Sequence, residues 1–320
     1  MTFRLVAASG PSMNSRLVEE HGQLYSVDVA SAPLVTPADA VANTAGADGV
    51  LVGTNPLPRA VIESMAPSVR IIGRIGVGLD AIDLRAAKDR GIAVFHAPDY
   101  CVPEVATHTV AMLLALNRQL VVGDRLARTN WLGWRAIEPI SSLSEQVVGL
   151  VGFGRIARAV AARLKALVSK VIACDPYSVI DDAEVDSVTS LEELLGRSDY
   201  VSLHLPLSAD TQKLIGSPEL ALMRPGAALI NVSRGGLIDE AALVDALVSG
   251  HLSGAALDVL SEEPPDESSP LLHAPNVLLS PHAAWYSVAS ERRVWTMAFE
   301  GILEFLNGER LTSGRLAPLD

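Results

Sequence analysis

Short apolar runs recur along the chain, and the stretches between them carry helical spacing. Over the first hundred residues this pattern predicts strands at Phe3–Ala8, Leu24–Val29, Gly49–Gly53, Arg70–Arg74 and Ile92–His96. Thr36-Pro37-Ala38-Asp39 offers a capping hydroxyl, a proline at the first helical position and a carboxylate at the third, so a helix starts there. From Pro103 a long helix is expected to about Arg118, followed by a poorly patterned stretch holding Trp131 and Trp134. A second strand–helix series follows, with strands at Val147–Val151, Lys170–Cys174, Tyr200–Leu203, Ala228–Val232, Gly254–Asp258 and Val277–Leu279. A final helix runs from Val288 to Asn307 and stops at Asn307-Gly308. Apolar strands alternating with helices imply parallel sheets covered on both faces, hence two α/β domains. In one place the pattern resists explanation. Leu167-Val168-Ser169-Lys170 joins a helix to a strand where a left-handed glycine would be expected.

Composition narrows the class. At 320 residues, 49% hydrophobic and 19% charged, the chain has the make-up of a globular protein of two domains. The longest apolar run of a predicted helix, Val110–Leu116, is far short of a membrane span, so no membrane partner is expected. The opening MTFRLVAASGPS alternates like a strand, without the apolar core of a secretory signal. Two cysteines in apolar surroundings, Cys101 and Cys174, exclude a disulfide framework and point to a reducing cytoplasm. A net charge of −12 and the lack of a basic stripe argue against nucleic acid as a partner. No metal site is expected.

The candidate chemistry starts at Val147-Val-Gly-Leu-Val-Gly152-Phe153-Gly154-Arg155-Ile156-Ala157, an apolar strand running straight into G-x-G-x-x-A and a helix. Gly152 permits the tight turn, Gly154 lets the backbone approach a pyrophosphate, and small Ala157 lets helix pack on strand. The helix N-terminus turns free N–H groups and a positive dipole towards an anion. The next strand ends at Asp175, where a carboxylate can accept both ribose hydroxyls of NAD and repel the 2′-phosphate of NADP. The same aspartate could simply cap the following turn.

Three polar residues sit just beyond later strand ends, where open parallel sheets bind ligands: Arg234, Glu263 and His282. Hydride transfer to a ketone needs a proton donor for the oxygen, and histidine suits that at neutral pH. A neighbouring carboxylate would orient the ring, and arginine would clamp a carboxylate or carbonyl with its planar fork. Each residue alone has a bland alternative as a cap, a solvated loop side chain or a salt bridge. The three in consecutive post-strand loops behind a dinucleotide fingerprint are far more specific.

In Arg74-Ile-Gly76-Val77-Gly78-Leu-Asp80, the fingerprint with Asp175, His204-Leu205-Pro206, Asn231-Val232-Ser233-Arg234-Gly, Gly254-Ala-Ala-Leu-Asp258, Glu263-Pro264 and Ser280-Pro-His282, the chain resembles the D-isomer-specific 2-hydroxyacid dehydrogenase family. Tyr100–His108 and His282-Ala-Ala-Trp285 are most similar to its C-terminal-binding-protein-like branch. The resemblance implies a flavodoxin-like substrate domain (1–99 with 287–320), a Rossmann NAD-binding domain (100–286) and a cleft between them that closes over NADH and a 2-oxo acid. It implies Arg234 as anchor, Glu263 as carboxylate partner and His282 as acid/base. The cofactor would be held by residues 152–157, Asp175, His204, Leu205, Pro206, Thr211, Val232, Ser233, Arg234, Asp258 and His282, with Asp258 on the nicotinamide amide. Arg74, Val77, Gly78 and Arg234 would meet the substrate, and Trp285 would line its pocket unless it is plain packing. Helix Pro103–Arg118 would pack against a second subunit in a homodimer. The corepressors of that branch raise a second reading, an NAD(H)-responsive binding protein with little turnover. Segment 136–146 departs from the family's usual pattern and puts the local domain or dimer contacts in doubt.

Overall fold

The computed structural model describes residues 2–10, 13–137, 139–180, 185–188 and 190–318. The strands of the first series are β1 (Arg4–Ala8), β2 (Asp28–Ala32), β3 (Gly49–Val52), β4 (Ile71–Arg74) and β5 (Ala93–His96). Those of the second are β6 (Val147–Val151), β7 (Lys170–Cys174), β8 (Val185–Ser187), β9 (Tyr200–Leu203), β10 (Ala228–Asn231), β11 (Gly254–Leu257) and β12 (Val277–Leu279), and β13 (Arg315–Leu316) closes the chain. They form two sheets in two compact units, Met1–Tyr100 with Ser287–Asp320, and Cys101–Tyr286.

The first unit's sheet has the order β13-β5-β4-β3-β1-β2, parallel except for β13. Without that edge strand it is the 2-1-3-4-5 order of flavodoxin-like folds. The second unit's sheet runs β12-β11-β10-β9-β6-β7-β8, all parallel, which contains the 3-2-1-4-5-6 order of the Rossmann fold. Strands β3, β10 and β11 are buried at every position, because helices cover both faces of a parallel sheet. Each unit keeps its own core, Val6, Val50, Ile72 and Val94 in one and Ile172, Val201, Leu229 and Leu257 in the other.

Three local expectations change. The strand expected at Leu24–Val29 starts only at Asp28, which pairs with Arg4 of β1. The Asn14 side chain caps a helix at the Leu17 N–H (3.3 Å), and that helix runs through Leu24, leaving Leu24 exposed. The alternation of Leu24, Ser26 and Asp28 with their neighbours imitated a strand across a helix end and a turn. After Asn117 the chain breaks at left-handed Gln119 and forms a further helix, Leu120–Thr129, that the sequence pattern missed. None of its residues is buried, so no apolar face announced it. The Leu167–Lys170 junction needs no glycine because no residue there turns left-handed. Leu167 and Val168 both donate to the Leu164 carbonyl (2.8 and 3.1 Å), and the Ser169 N–H crosses to Gln146 (3.0 Å). By contrast the Thr36–Asp39 capping box is fully formed, and the last helix ends before Asn307 with Gly308 left-handed.

Candidate active site

In the second sheet the strand order reverses between β6 and β9, and a crevice opens beyond their carboxyl ends at such a point. The glycine turn lies there. Gly152 has φ +88°, and a Cβ on it would sit 2.6 Å from the His204 carbonyl at the end of β9. Only glycine fits both constraints. Phe153 is buried, its N–H donates to Asp175 (2.7 Å), and the Arg158 guanidinium lies 4.6 Å over its ring. Gly154 differs: a Cβ there would meet open space, so nothing in the protein itself demands glycine. The helix it begins, Arg155–Leu164, has no capping side chain, and a helix N-terminus is where backbone N–H groups meet an anion. Ile156 is half-buried and Ala157 fully buried where helix meets sheet. A dinucleotide pyrophosphate fits this cradle.

Asp175 ends β7. Its carboxylate accepts from Phe153, Tyr177 and Ser178 N–H groups (2.7, 2.8 and 3.0 Å). Burial alone would raise its pKa, but these bonds together hold it below the ordinary carboxylate range. It is therefore an anion with lone pairs to spare for hydroxyl donors. Across the turn, burial drives the His204 pKa down to about 4, so the ring is neutral. His204 Nε2 meets the Ser202 hydroxyl at 2.9 Å, while its buried Nδ1 has no hydrogen-bond partner. Thr211 donates to the Pro206 carbonyl (2.7 Å) and accepts from Ser208 N–H, closing the loop that carries Leu205 and Pro206.

The polar trio comes together one strand further on. Beyond β10, buried Asn231 accepts from Ser233 N–H (3.0 Å) and donates to the Arg234 carbonyl (2.8 Å), which shapes the loop after buried Val232. Ser233 also ties that loop to the Leu203 carbonyl of β9 (2.7 Å). A Cβ on Gly235 would lie 1.9 Å from the Leu260 carbonyl carbon, so this loop and the one leading to Glu263 touch backbone to backbone. Glu263 accepts from Leu260 N–H with Oε1 (2.9 Å) and from His282 Nδ1 with Oε2 (2.6 Å). Burial pushes the Glu263 pKa up, and the His282 bond, the Leu260 bond and the Arg234 charge more than reverse it. Glu263 is thus ionised, and Nδ1 carries the ring proton it accepts. His282 Nε2 is left for exchange with a ligand.

His282 stands at φ +50°, a costly conformation for a side-chain-bearing residue. Asp258 holds it there. The aspartate's carbonyl accepts from His282 N–H (2.8 Å), and its buried carboxylate accepts from the Ser280 hydroxyl and from the Ala283 and Ala284 N–H groups (2.9 Å each). His108, on helix Val102–Asn117, lies 2.9 Å from the Ser280 hydroxyl behind this turn. Asn231, Gly235, Ser280 and His108 stand within the motifs that carry the resemblance but were given no role of their own, since each acts on a loop rather than on a ligand. Trp285 is half-buried, edge-on to Tyr286 with centroids 5.5 Å apart. In the first unit Arg74 closes β4 and donates to the carbonyls of Gly78 (3.1 Å) and Ile75, so Arg74, Val77 and Gly78 form one loop. Among the described residues no cluster of three or more His, Cys, Asp or Glu could hold a metal ion.

Residues 110–284 match the model of the D-isomer-specific 2-hydroxyacid dehydrogenase NAD-binding domain. The chain belongs to that family. It is 34% identical to a hydroxypyruvate reductase of Blautia hydrogenotrophica over 84% of this chain and 85% of that one. It is 38% identical to a D-3-phosphoglycerate dehydrogenase of Mycobacterium bovis over 82% of this chain, and spans about half the length of that relative (50%). The solved NADPH-dependent glyoxylate/hydroxypyruvate reductase of Sinorhizobium meliloti, in complex with NADP and malonate, superposes with a TM-score of 0.88 at 30% identity, covering 100% of this chain and 98% of that one.

Proposed function

We propose that this member of the family is an oxidoreductase that moves a hydride between NAD(H) and a small 2-hydroxy or 2-oxo acid. The observation that carries this reading is the His282–Glu263 pair at 2.6 Å, in the loops after β11 and β12 of the same sheet whose β6 leads into the glycine turn. When bound, the nicotinamide supplies or accepts the hydride. Glu263 keeps the His282 ring oriented through Nδ1, and Nε2 gives a proton to the substrate oxygen during reduction or takes it during oxidation. Arg234 offers its guanidinium to the substrate carbonyl and carboxylate. Arg74, with the N–H groups of Val77 and Gly78, takes the carboxylate, and Trp285 lines the substituent pocket. Asp175 accepts the ribose hydroxyls, and a 2′-phosphate beside this anion would be repelled, which favours NAD over NADP. Gly152–Ala157, His204–Pro206, Thr211, Val232 and Ser233 frame the rest of the cofactor. The resemblance put the Asp258 carboxylate on the nicotinamide amide. Its three donors support another part for it, keeping the His282 turn in place.

The test is an NADH-oxidation screen across glyoxylate, hydroxypyruvate and branched, aromatic and phosphorylated 2-oxo acids. Turnover is expected, and His282→Ala should lower kcat roughly 10²–10⁴-fold at saturating acid. An unchanged kcat in that variant removes the role of His282. No turnover together with NADH-dependent protein association would favour the corepressor-like reading, against which the names of the relatives weigh. We further propose a homodimer in a reducing cytoplasm. Leu120, Val121, Trp131, Leu132 and Trp134 are all exposed on the segment after helix Val102–Asn117, and a second copy would cover these apolar side chains. Sedimentation at the mass of one chain would count against it.

A further inference from the structure

We infer that His96 is a positioning residue that aims the backbone N–H of Gly78 at the substrate carboxylate. The inference rests on the reading of Arg74, Val77 and Gly78 given above, and it adds a residue outside that set. Arg74 and His96 are register partners at the carboxyl ends of adjacent strands β4 and β5. Between them the loop 75–78 is gripped by its carbonyl oxygens. Gly76 O accepts from Ala97 N–H (3.0 Å), Val77 O from His96 Nδ1 (3.0 Å) and Gly78 O from Arg74 Nε (3.1 Å). All three donors come from the ends of β4 and β5. In a planar trans peptide the C=O of one residue and the N–H of the next point in opposite directions. Holding three carbonyls towards the strand ends therefore turns the N–H groups of Val77, Gly78 and Leu79 the other way. Among the described residues no acceptor meets any of those three N–H groups. Val77, Gly78 and Leu79 are all partly exposed, so a ligand can reach them. Consecutive N–H groups on one side of a loop make an anion-binding concavity.

His96 is the only side chain on the peptide whose N–H belongs to Gly78 among the described contacts. Because Val77 O accepts, Nδ1 bears the proton, so the clamp works with a neutral or a charged ring. Asparagine places an N–H at the same δ position, one bond from Cγ, whereas leucine offers none.

The experiment uses hydroxypyruvate with saturating NADH, and oxamate as a non-reacting competitor. His96→Leu should raise the KM and the oxamate inhibition constant about tenfold while kcat stays within about twofold. NADH affinity should not change, and His96→Asn should restore both constants. If His96→Leu does not fold, His96→Gln, which carries the donor one carbon further out, should show the same loss. Unchanged constants in the His96 variants beside a raised KM in Arg74→Ala overturn the role of His96 and leave the carboxylate reading standing. Unchanged constants in Arg74→Ala as well bring down both. A drop in thermal stability and kcat with no shift in KM also overturns the inference, because it marks a structural residue only.

Discussion

Each unit carries a glycine-bearing turn beyond a parallel strand with a histidine from the neighbouring strand behind it, and the two are built on different principles. In the second unit the turn after β6 works through what is missing. Gly152 leaves room for a carbonyl, Gly154 leaves room for nothing the protein supplies, and His204 contributes its backbone while its ring stays buried and neutral. In the first unit the turn after β4 works through what is added. Ring and guanidinium donors hold its carbonyls, and His96 acts through its side chain. A turn followed at once by a helix has its N–H groups aimed by the helix axis. A turn without one must have each peptide plane fixed separately.

That difference can be broken or sharpened by substitution. Gly152→Ala combines a left-handed backbone with a Cβ 2.6 Å from a carbonyl, so a loss of about 2–4 kcal/mol is expected in denaturant unfolding. Gly154→Ala should leave that unfolding curve in place and weaken NADH binding about tenfold, read by fluorescence titration. Equal damage to the fold from both would erase the distinction between them. Gly76→Ala should fall between. Its φ of +151° disfavours alanine by about 1 kcal/mol, and its Cβ would stand 2.9 Å from the Arg74 guanidinium that holds the loop carbonyls, so KM should rise severalfold in a folded protein. A last effect concerns pH. His204 takes up a proton near the ordinary value of about 6.5 when unfolded and near 4 when folded. The unfolded chain binds more protons in between, so stability falls as pH drops through that window. His204→Gln should flatten the decline in melting temperature from pH 6.5 to 4, and an unaltered slope would show the ring is not its source.

The glycine turn was legible because the whole of it lies within a few consecutive residues, and β6, β9, β10 and β11 were legible because their apolar runs are almost wholly buried. Glu263 and His282 could be named for their chemistry, but the reason they meet could not. It lies in the contact of Gly235 with Leu260 and in Asp258 gathering the 280–284 turn, both made between strands far apart in sequence. His96 escaped notice for the same reason: it reads as the last residue of a strand, and its partner is a carbonyl, which no sequence displays. Strands β8 and β13 are short edge pieces of two or three residues, too brief to carry a period. Helix Leu120–Thr129 has the opposite fault, since its apolar residues face out and a buried stripe was the signal sought.

The left-handed backbone at residue 282 has a practical corollary. Asparagine tolerates that conformation better than histidine does, and its amide nitrogen stands where the ring's Nδ1 stands, within reach of Glu263. What it lacks is the distal nitrogen. If His282 passes the proton as proposed, His282→Asn is a folded mimic without that step, suited to trapping cofactor and acid side by side without reaction.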